Sequence, residues 1–288
     1  MTFPLLLQLV ASGIAIGLVY SLVAAGLTLI WGVMNLVNFA HGEYLMVAMY
    51  SAYWLAKLFH LDPLVSWPIT TLIMSAFGAA TYYLIVRRLL TAPILAQVFA
   101  TFGLVLFLQA GAQFLFGPEF LSIPNPAFQG RIDLMGVYLG QDQVVAGLAA
   151  LLVNATLHWF LRYTDLGRAL DATSQDRGAA AAMGIDTGKM FLLAWVINGA
   201  LLGIGGSLIA SSYYIQPLVG QVFVLIAFVV VALGGFGSVQ GAFVAGILIG
   251  IFQTLSGYLL PSQFQMIPVY LVYLVIVLLR PEGLLGNR

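Results

Sequence analysis

The chain has 288 residues, 62% of them hydrophobic, with only 10 Lys or Arg and 10 Asp or Glu. Soluble domains carry roughly 25% charged residues, so a soluble enzyme is excluded, and zero net charge without a basic footprint excludes a nucleic-acid binder. With no cysteine, disulfides, thiolate catalysis and cysteine-based metal centres are excluded as well.

Residues 1–42, 63–86, 89–118 and 190–279 contain no Asp, Glu, Lys or Arg. A helix needs about 20 apolar residues to cross the hydrocarbon, and the period-two alternation of a membrane β-barrel is missing. The predicted helices lie at 4–31, 43–56, 67–86, 94–116, 143–161, 190–212, 222–233, 242–260 and 266–279. The first positive charge is Lys57, so the first stretch is expected to be a retained span rather than a cleaved leader. The fold class is an all-α polytopic membrane protein of about 8–10 transmembrane helices, some discontinuous, in one domain over 1–288.

Loop charges set the expected orientation. Arg87, Arg88, Arg162, Arg168, Arg177, Lys189, Arg280 and Arg288 fall on one side of a nine-crossing arrangement, and Lys57 and Arg131 on the other. The first side is then cytoplasmic, with the N-terminus outside, the C-terminus inside, and 117–142, holding Pro124, Asn125 and Pro126, as the long external loop.

Between the first two helices, Asn35, Asn38, His41 and Glu43 make a heavy polar load beside lipid. Glu43 must face protein, water or a helix end, because a carboxylate at the bilayer centre costs at least about 2.5 kcal/mol. Two readings stand: a helix-end charge with asparagine caps, or the lining of a pathway. A second glycine-bearing break spans Gly234–Gly241 and includes Gly237 and Ser238. Paired interruptions point to a transport path, and His41-Gly42 against Gln240-Gly241 suggests a weak parallel repeat.

In the fourth helix, Gln97, Thr101, Gln109 and Gln113 share one face and serve either interhelical bonds or a polar lining. Gly13/Gly17, Gly199/Gly203 and Gly246/Gly250 are spaced for close helix packing, and Asn198 for an interhelical bond. His158 and Trp159 suit a span end.

Residues 162–189 hold eight of the charges. Asp165, Arg168 and Asp171 form an i,i+3 ladder, Thr173 with Asp176 fits a capping box, and Gly184 fits a helix stop. A short charged helix of about 10 residues follows, either an ordinary solvated loop or a docking element for a partner. The run Gly184-Ile185-Asp186-Thr187-Gly188-Lys189-Met190 is one residue short of a P-loop and has Met for Ser/Thr. No nucleotide site, metal site or nucleophile–base pair is expected, so energy must come from a partner.

Val33 to Glu43 with Tyr44-Leu45-Met46 resembles the permeases of branched-chain amino acid ABC importers, in particular the smaller LivH-type subunit. Thr101 to Gln109 on to Phe116-Gly117, Gly167-Arg168-Ala169 through Asp176 to Gly184-Ile185, and Arg280-Pro281-Glu282-Gly283-Leu284-Leu285-Gly286 extend the resemblance over nearly the whole chain. It implies a bacterial inner-membrane permease that moves apolar amino acids inward, with Asn35, Asn38, His41, Glu43, Thr101, Gln109, Gly237 and Ser238 at a substrate path or gate. The charged helix, with Asp165, Arg168, Asp171, Asp176, Arg177 and Gly184, becomes a coupling helix. The implied partners are a second, longer permease, two ATP-binding cassette subunits that bind ATP and Mg, and a periplasmic binding protein. Urea or short-chain amides are the alternative cargo. An ion-coupled transporter or channel is the rival of another class, set back by Glu43 being the only carboxylate beside a span.

Overall fold

The computed structural model describes residues 3–123, 128, 130–134, 136–280 and 282–286; Pro124, Asn125, Pro126, Pro281 and Arg288 lie outside the described residues. Its first helix, α1 (Phe3–Met34), is 32 residues long and apolar on every side. At about 48 Å it outreaches a hydrocarbon core of about 30 Å. A helix without a polar face belongs in a core, and residues 17–30 of α1 are buried throughout.

The chain continues through α2 (His41–Phe59), α3 (Pro63–Thr81), then a π-helical turn at Tyr82–Val86 leading into α4 (Arg87–Leu89), and α5 (Ile94–Phe116). After a hairpin of β1 (Arg131–Leu134) and β2 (Val137–Gly140) come α6 (Gln141–Tyr163), α7 (Asp165–Gln175), α8 (Arg177–Ala182) and α9 (Thr187–Ala210). The chain finishes with α10 (Val219–Gly234), α11 (Val239–Leu259) and α12 (Ile267–Leu279). Eight of the nine stretches predicted from the sequence correspond to one helix each, and 67–86 covers most of α3 with the π-helical turn that continues it. Among the described residues, α1, Pro63–Leu89, α5, α6, α9 and α11 are long and apolar enough to cross a membrane; α10 and α12 are shorter.

The all-α expectation missed the hairpin, which pairs Arg131 with Gly140 in antiparallel register. A four-residue strand without a strong apolar pattern leaves little signal.

The loops gather at two ends. At one, here the hairpin end, Leu121 pairs with Ile215 and the Ser212 hydroxyl donates to Asp142 at 2.7 Å. At the other, the α7 end, the Tyr82 hydroxyl donates to the Gly188 carbonyl at 3.1 Å, and the Leu284 and Leu285 amides donate to the Leu233 and Gly234 carbonyls.

Glycine sets the packing between these ends. A Cβ on Gly13 would lie 2.6 Å from the Ile251 backbone, and one on Gly17 2.7 Å from the Gly246 carbonyl oxygen, so α1 and α11 touch backbone to backbone. In the same manner α9 seats on α3, where Cβ atoms on Gly199 and Gly203 would meet the Met74 and Thr70 carbonyl oxygens at 2.1 and 2.7 Å. Thr70 and Ser207 close that contact with a 2.6 Å hydroxyl pair.

These contacts relate α1–α2–α3 to α9–α10–α11. The first helix of each triplet packs on the third helix of the other, and the two triplets run in opposite directions. The repeat is inverted, which corrects the parallel repeat expected from His41-Gly42 and Gln240-Gly241. Gly42 faces Gly220, not Gly241, and the segment at Gly234–Gly241 is a turn at the α7 end.

Candidate functional site

α1 ends where Asn35 adopts φ 51°, a left-handed conformation that asparagine tolerates. The chain then doubles back. His41 Nε2 donates to the Val23 carbonyl at 3.0 Å, and Val23 lies about 16 Å before Met34 along α1. Residues 35–40 therefore return the chain toward mid-height before α2 starts. Asn38 Oδ1 accepts from the Ala40 amide at 3.1 Å, holding that return.

α10 starts at the same height from the opposite side. After α9, the chain touches the hairpin end at Ile215, then dips to Val219. A Cβ on Gly42 would lie 2.0 Å from the Gly220 carbonyl oxygen, and one on Gly220 2.7 Å from Glu43 Oε2. Two half-helices thus begin nose to nose halfway along α1, α2 running to the hairpin end and α10 to the α7 end. Neither has a side-chain N-cap, so the positive ends of both macrodipoles converge on Gly42 and Gly220.

Glu43 sits in that convergence, buried, in the first turn of α2. Gln109 Nε2 donates to Glu43 Oε1 at 2.8 Å, and Glu43 Oε2 has no hydrogen-bond partner. Thr101, two turns earlier on α5, donates to the Val37 carbonyl at 3.4 Å and the Val98 carbonyl at 3.0 Å. Phe39 packs between Phe102 and Phe228, with ring centroids 5.9 and 5.4 Å apart. The residues brought together are therefore Asn38, His41, Glu43, Thr101 and Gln109; Asn35 turns the chain into the segment.

Others lie elsewhere. Gln97 donates to the Leu89 and Ala92 carbonyls, both at 3.1 Å, and Gln113 is exposed, so the polar stripe of α5 does not act as a unit. Gly237 lies beside Gly32, and Ser238 caps α11 by accepting from the Gly241 amide at 3.0 Å. The 16 residues of α10, about 24 Å, separate them from the Glu43 junction.

The junction also holds residues that the sequence reading passed over. Gly220 forms the crossing, and Gln221 is exposed beside it on the first turn of α10. The signal available was the pair Gly42-Glu43 and Gly220-Gln221, each opening an apolar half-helix.

At the α7 end, the charged segment is two helices rather than one. Thr164 caps α7 by accepting from the Gly167 amide at 3.0 Å. Thr173, expected in a capping box, is buried in the last turn of α7 and donates to the Ala169 carbonyl at 2.7 Å. Asp176 caps α8, accepting from the Gly178 and Ala179 amides at 2.8 and 3.0 Å. Gly184 stops α8 at φ 87°, with Ile185 N donating to the Ala180 carbonyl at 3.0 Å.

The expected ladder exists in part: Arg168 pairs with Asp165, whereas Asp171 accepts from Gln175 Nε2 at 3.1 Å. Arg177 stacks on Phe191 at 5.1 Å, tying α8 to α9. At the start of α9 the Lys189 amide, then its ammonium, hold the Asp186 carboxyl below the usual range. The segment is thus a braced, exposed pair of helices carried by the central bundle.

Comparison with known proteins adds the family. The branched-chain amino acid transport system permease component family matches residues 9–279. The high-affinity branched-chain amino acid transport permease LivH of Escherichia coli is 28% identical over 99% of this chain and 97% of its own length. A probable LivH of Methanocaldococcus jannaschii is 31% identical over 84% and 78%, and LivM of Escherichia coli is 26% identical over 93% and 68%. No solved structure matches.

Proposed function

We propose that this chain, which belongs to the permease family of branched-chain amino acid transport systems, carries apolar amino acids inward through a path at the α2–α10 junction. The carrying observation is the convergence of two uncapped helix N-termini on a buried carboxylate with one unpaired oxygen. That arrangement suits a zwitterion: the N-termini receive the substrate carboxylate, and Glu43 receives the ammonium. Gln109 holds Glu43 in place, and Thr101 fastens α5 to the return segment.

The path lies between this subunit and a second one. Gln221, Val222 and Leu225 of α10 and Phe102 of α5 are exposed beside the junction, and an exposed amide at mid-membrane height calls for a polar partner. A longer homologous permease of the LivM kind fits that place. We infer from the Lys/Arg distribution that the α7 end faces the cytoplasm and the N-terminus the outside, in the bacterial inner membrane that the permease reading implies. There α7 and α8 couple to two ATP-binding cassette subunits, which bind ATP and Mg, while a periplasmic binding protein delivers cargo at the hairpin end. This chain is then the non-catalytic subunit of the importer. Gly237 and Ser238 fall at the cytoplasmic exit.

The cargo is tested by reconstituting the full importer in liposomes and comparing ATP-driven uptake of labelled leucine and urea. Leucine uptake at least tenfold above urea is expected. Urea uptake without leucine uptake overturns the amino-acid reading and leaves the architecture in place.

A further inference from the structure

Beneath α7 lies a crevice of about 340 Å³, bounded by α1, α6, α7 and the start of α11. It is distinct from the Glu43 junction, and its volume falls in the range of pockets that take small ligands. Its lining carries both signs of charge: Arg162 and His158 from α6, and Asp171 from α7. Ser174, Ser238 and Thr28 add hydroxyls. Thr28 is fully buried, and its Oγ1 has no hydrogen-bond partner. Among the described residues, Arg162 has no ion pair, and the Asp171 carboxylate accepts only from Gln175, through Oδ2, while the Ser174 hydroxyl donates to the Asp171 backbone carbonyl at 2.7 Å. A cation and an anion facing one crevice, each short of a charged partner and with a buried hydroxyl left unpaired, ask for a ligand of both signs.

We propose that this crevice is a second amino-acid site, at the α7 end, which binds a free apolar zwitterion through its carboxylate at Arg162 and its ammonium at Asp171. Occupancy ties α7 to α1 and α6, because Asp171 and Ser174 belong to α7 while Arg162 and His158 belong to α6. The ligand fills from the side to which transport delivers its product, so binding reports product level to the coupling helix. The choice of an apolar amino acid rests on the function proposed above; the demand for a zwitterion rests on the charge pair.

The test is equilibrium binding of labelled leucine to the purified importer in detergent, without binding protein or ATP. Binding is measured in the Glu43→Gln background, which removes the ammonium contact proposed at the junction; a saturable component is expected there, and it weakens roughly tenfold or more when Arg162→Gln or Asp171→Asn is added, each removing one charged contact. 4-Methylpentanoate, which lacks the ammonium, and 3-methylbutylamine, which lacks the carboxylate, should each bind at least about tenfold more weakly than leucine. Both variants alter exposed side chains, and an unchanged melting temperature confirms that they fold. Absence of saturable binding in the Glu43→Gln background, or undiminished affinity when Arg162→Gln and Asp171→Asn are added to it, overturns the site. Those results leave the function standing if the liposomes still take up leucine, whereas failed uptake with binding intact overturns the function and keeps the site.

Discussion

Gly42→Ala abolishes leucine uptake and lowers the melting temperature of the assembled importer. The added methyl would lie 2.0 Å from the Gly220 carbonyl oxygen and 2.8 Å from the Val224 Cβ. Backbone on the far side cannot swing away as a flexible side chain would, so the half-helices must separate. Overpacking of this kind costs roughly 3 kcal/mol, and separation also misplaces Glu43 and both N-termini. Gly103→Ala is the control: on α5 a Cβ there meets nothing within 4 Å, and uptake should stay within about twofold of the parent, as for an uncrowded surface change. Uptake by Gly42→Ala at the parental rate would remove the close crossing from the account.

Arg168→Glu and Asp176→Lys uncouple ATP hydrolysis from transport. Arg168 and its partner Asp165 are both largely exposed, at 64% and 94% of their side-chain surface. An exposed pair contributes about 0–1 kcal/mol, so charge reversal at Arg168 leaves the fold intact and acts at the contact proposed between α7 and an ATP-binding cassette subunit. Asp176→Lys removes the α8 cap, worth about 1 kcal/mol, and places a cation at a helix N-terminus. Both variants should insert and assemble normally while binding-protein-stimulated ATPase falls at least tenfold. Normal stimulation in both would deny α7 and α8 their coupling role.

How much of this was legible in the sequence differs from element to element. The helix stretches were readable because lipid leaves a charge-free run as the mark of a helix, and α5 was bounded to the residue by Pro93 and Gly117. Asn35, Asn38, His41 and Glu43 stood out for the opposite reason, as polar groups where few are tolerated. Direction was not legible. Whether a break turns the chain at an end or returns it to mid-height depends on what it packs against, and the contact of Gly42 with Gly220 joins backbone atoms far apart in sequence. Gly234–Gly241 looked like the matching break because its glycines cluster, yet Gly235 and Gly237, at φ 102° and 83°, only make a tight turn. The cap of α8 was misassigned for a local reason. Thr173 can bond back to its own helix as well as cap a new one, and burial of α7 against the bundle favours the former.

The central claim is that the meeting point of α2 and α10 opens onto a polar path rather than lipid. The chain has no cysteine, so a single Gln221→Cys gives a background-free probe on the first turn of α10. In the assembled importer, a membrane-impermeant charged thiol reagent should modify Gln221→Cys during turnover, and excess leucine should slow the modification. Phe114→Cys, on the exposed face of α5, should stay unmodified. Modification of Gln221→Cys no faster than Phe114→Cys would put the junction in lipid and contradict the account.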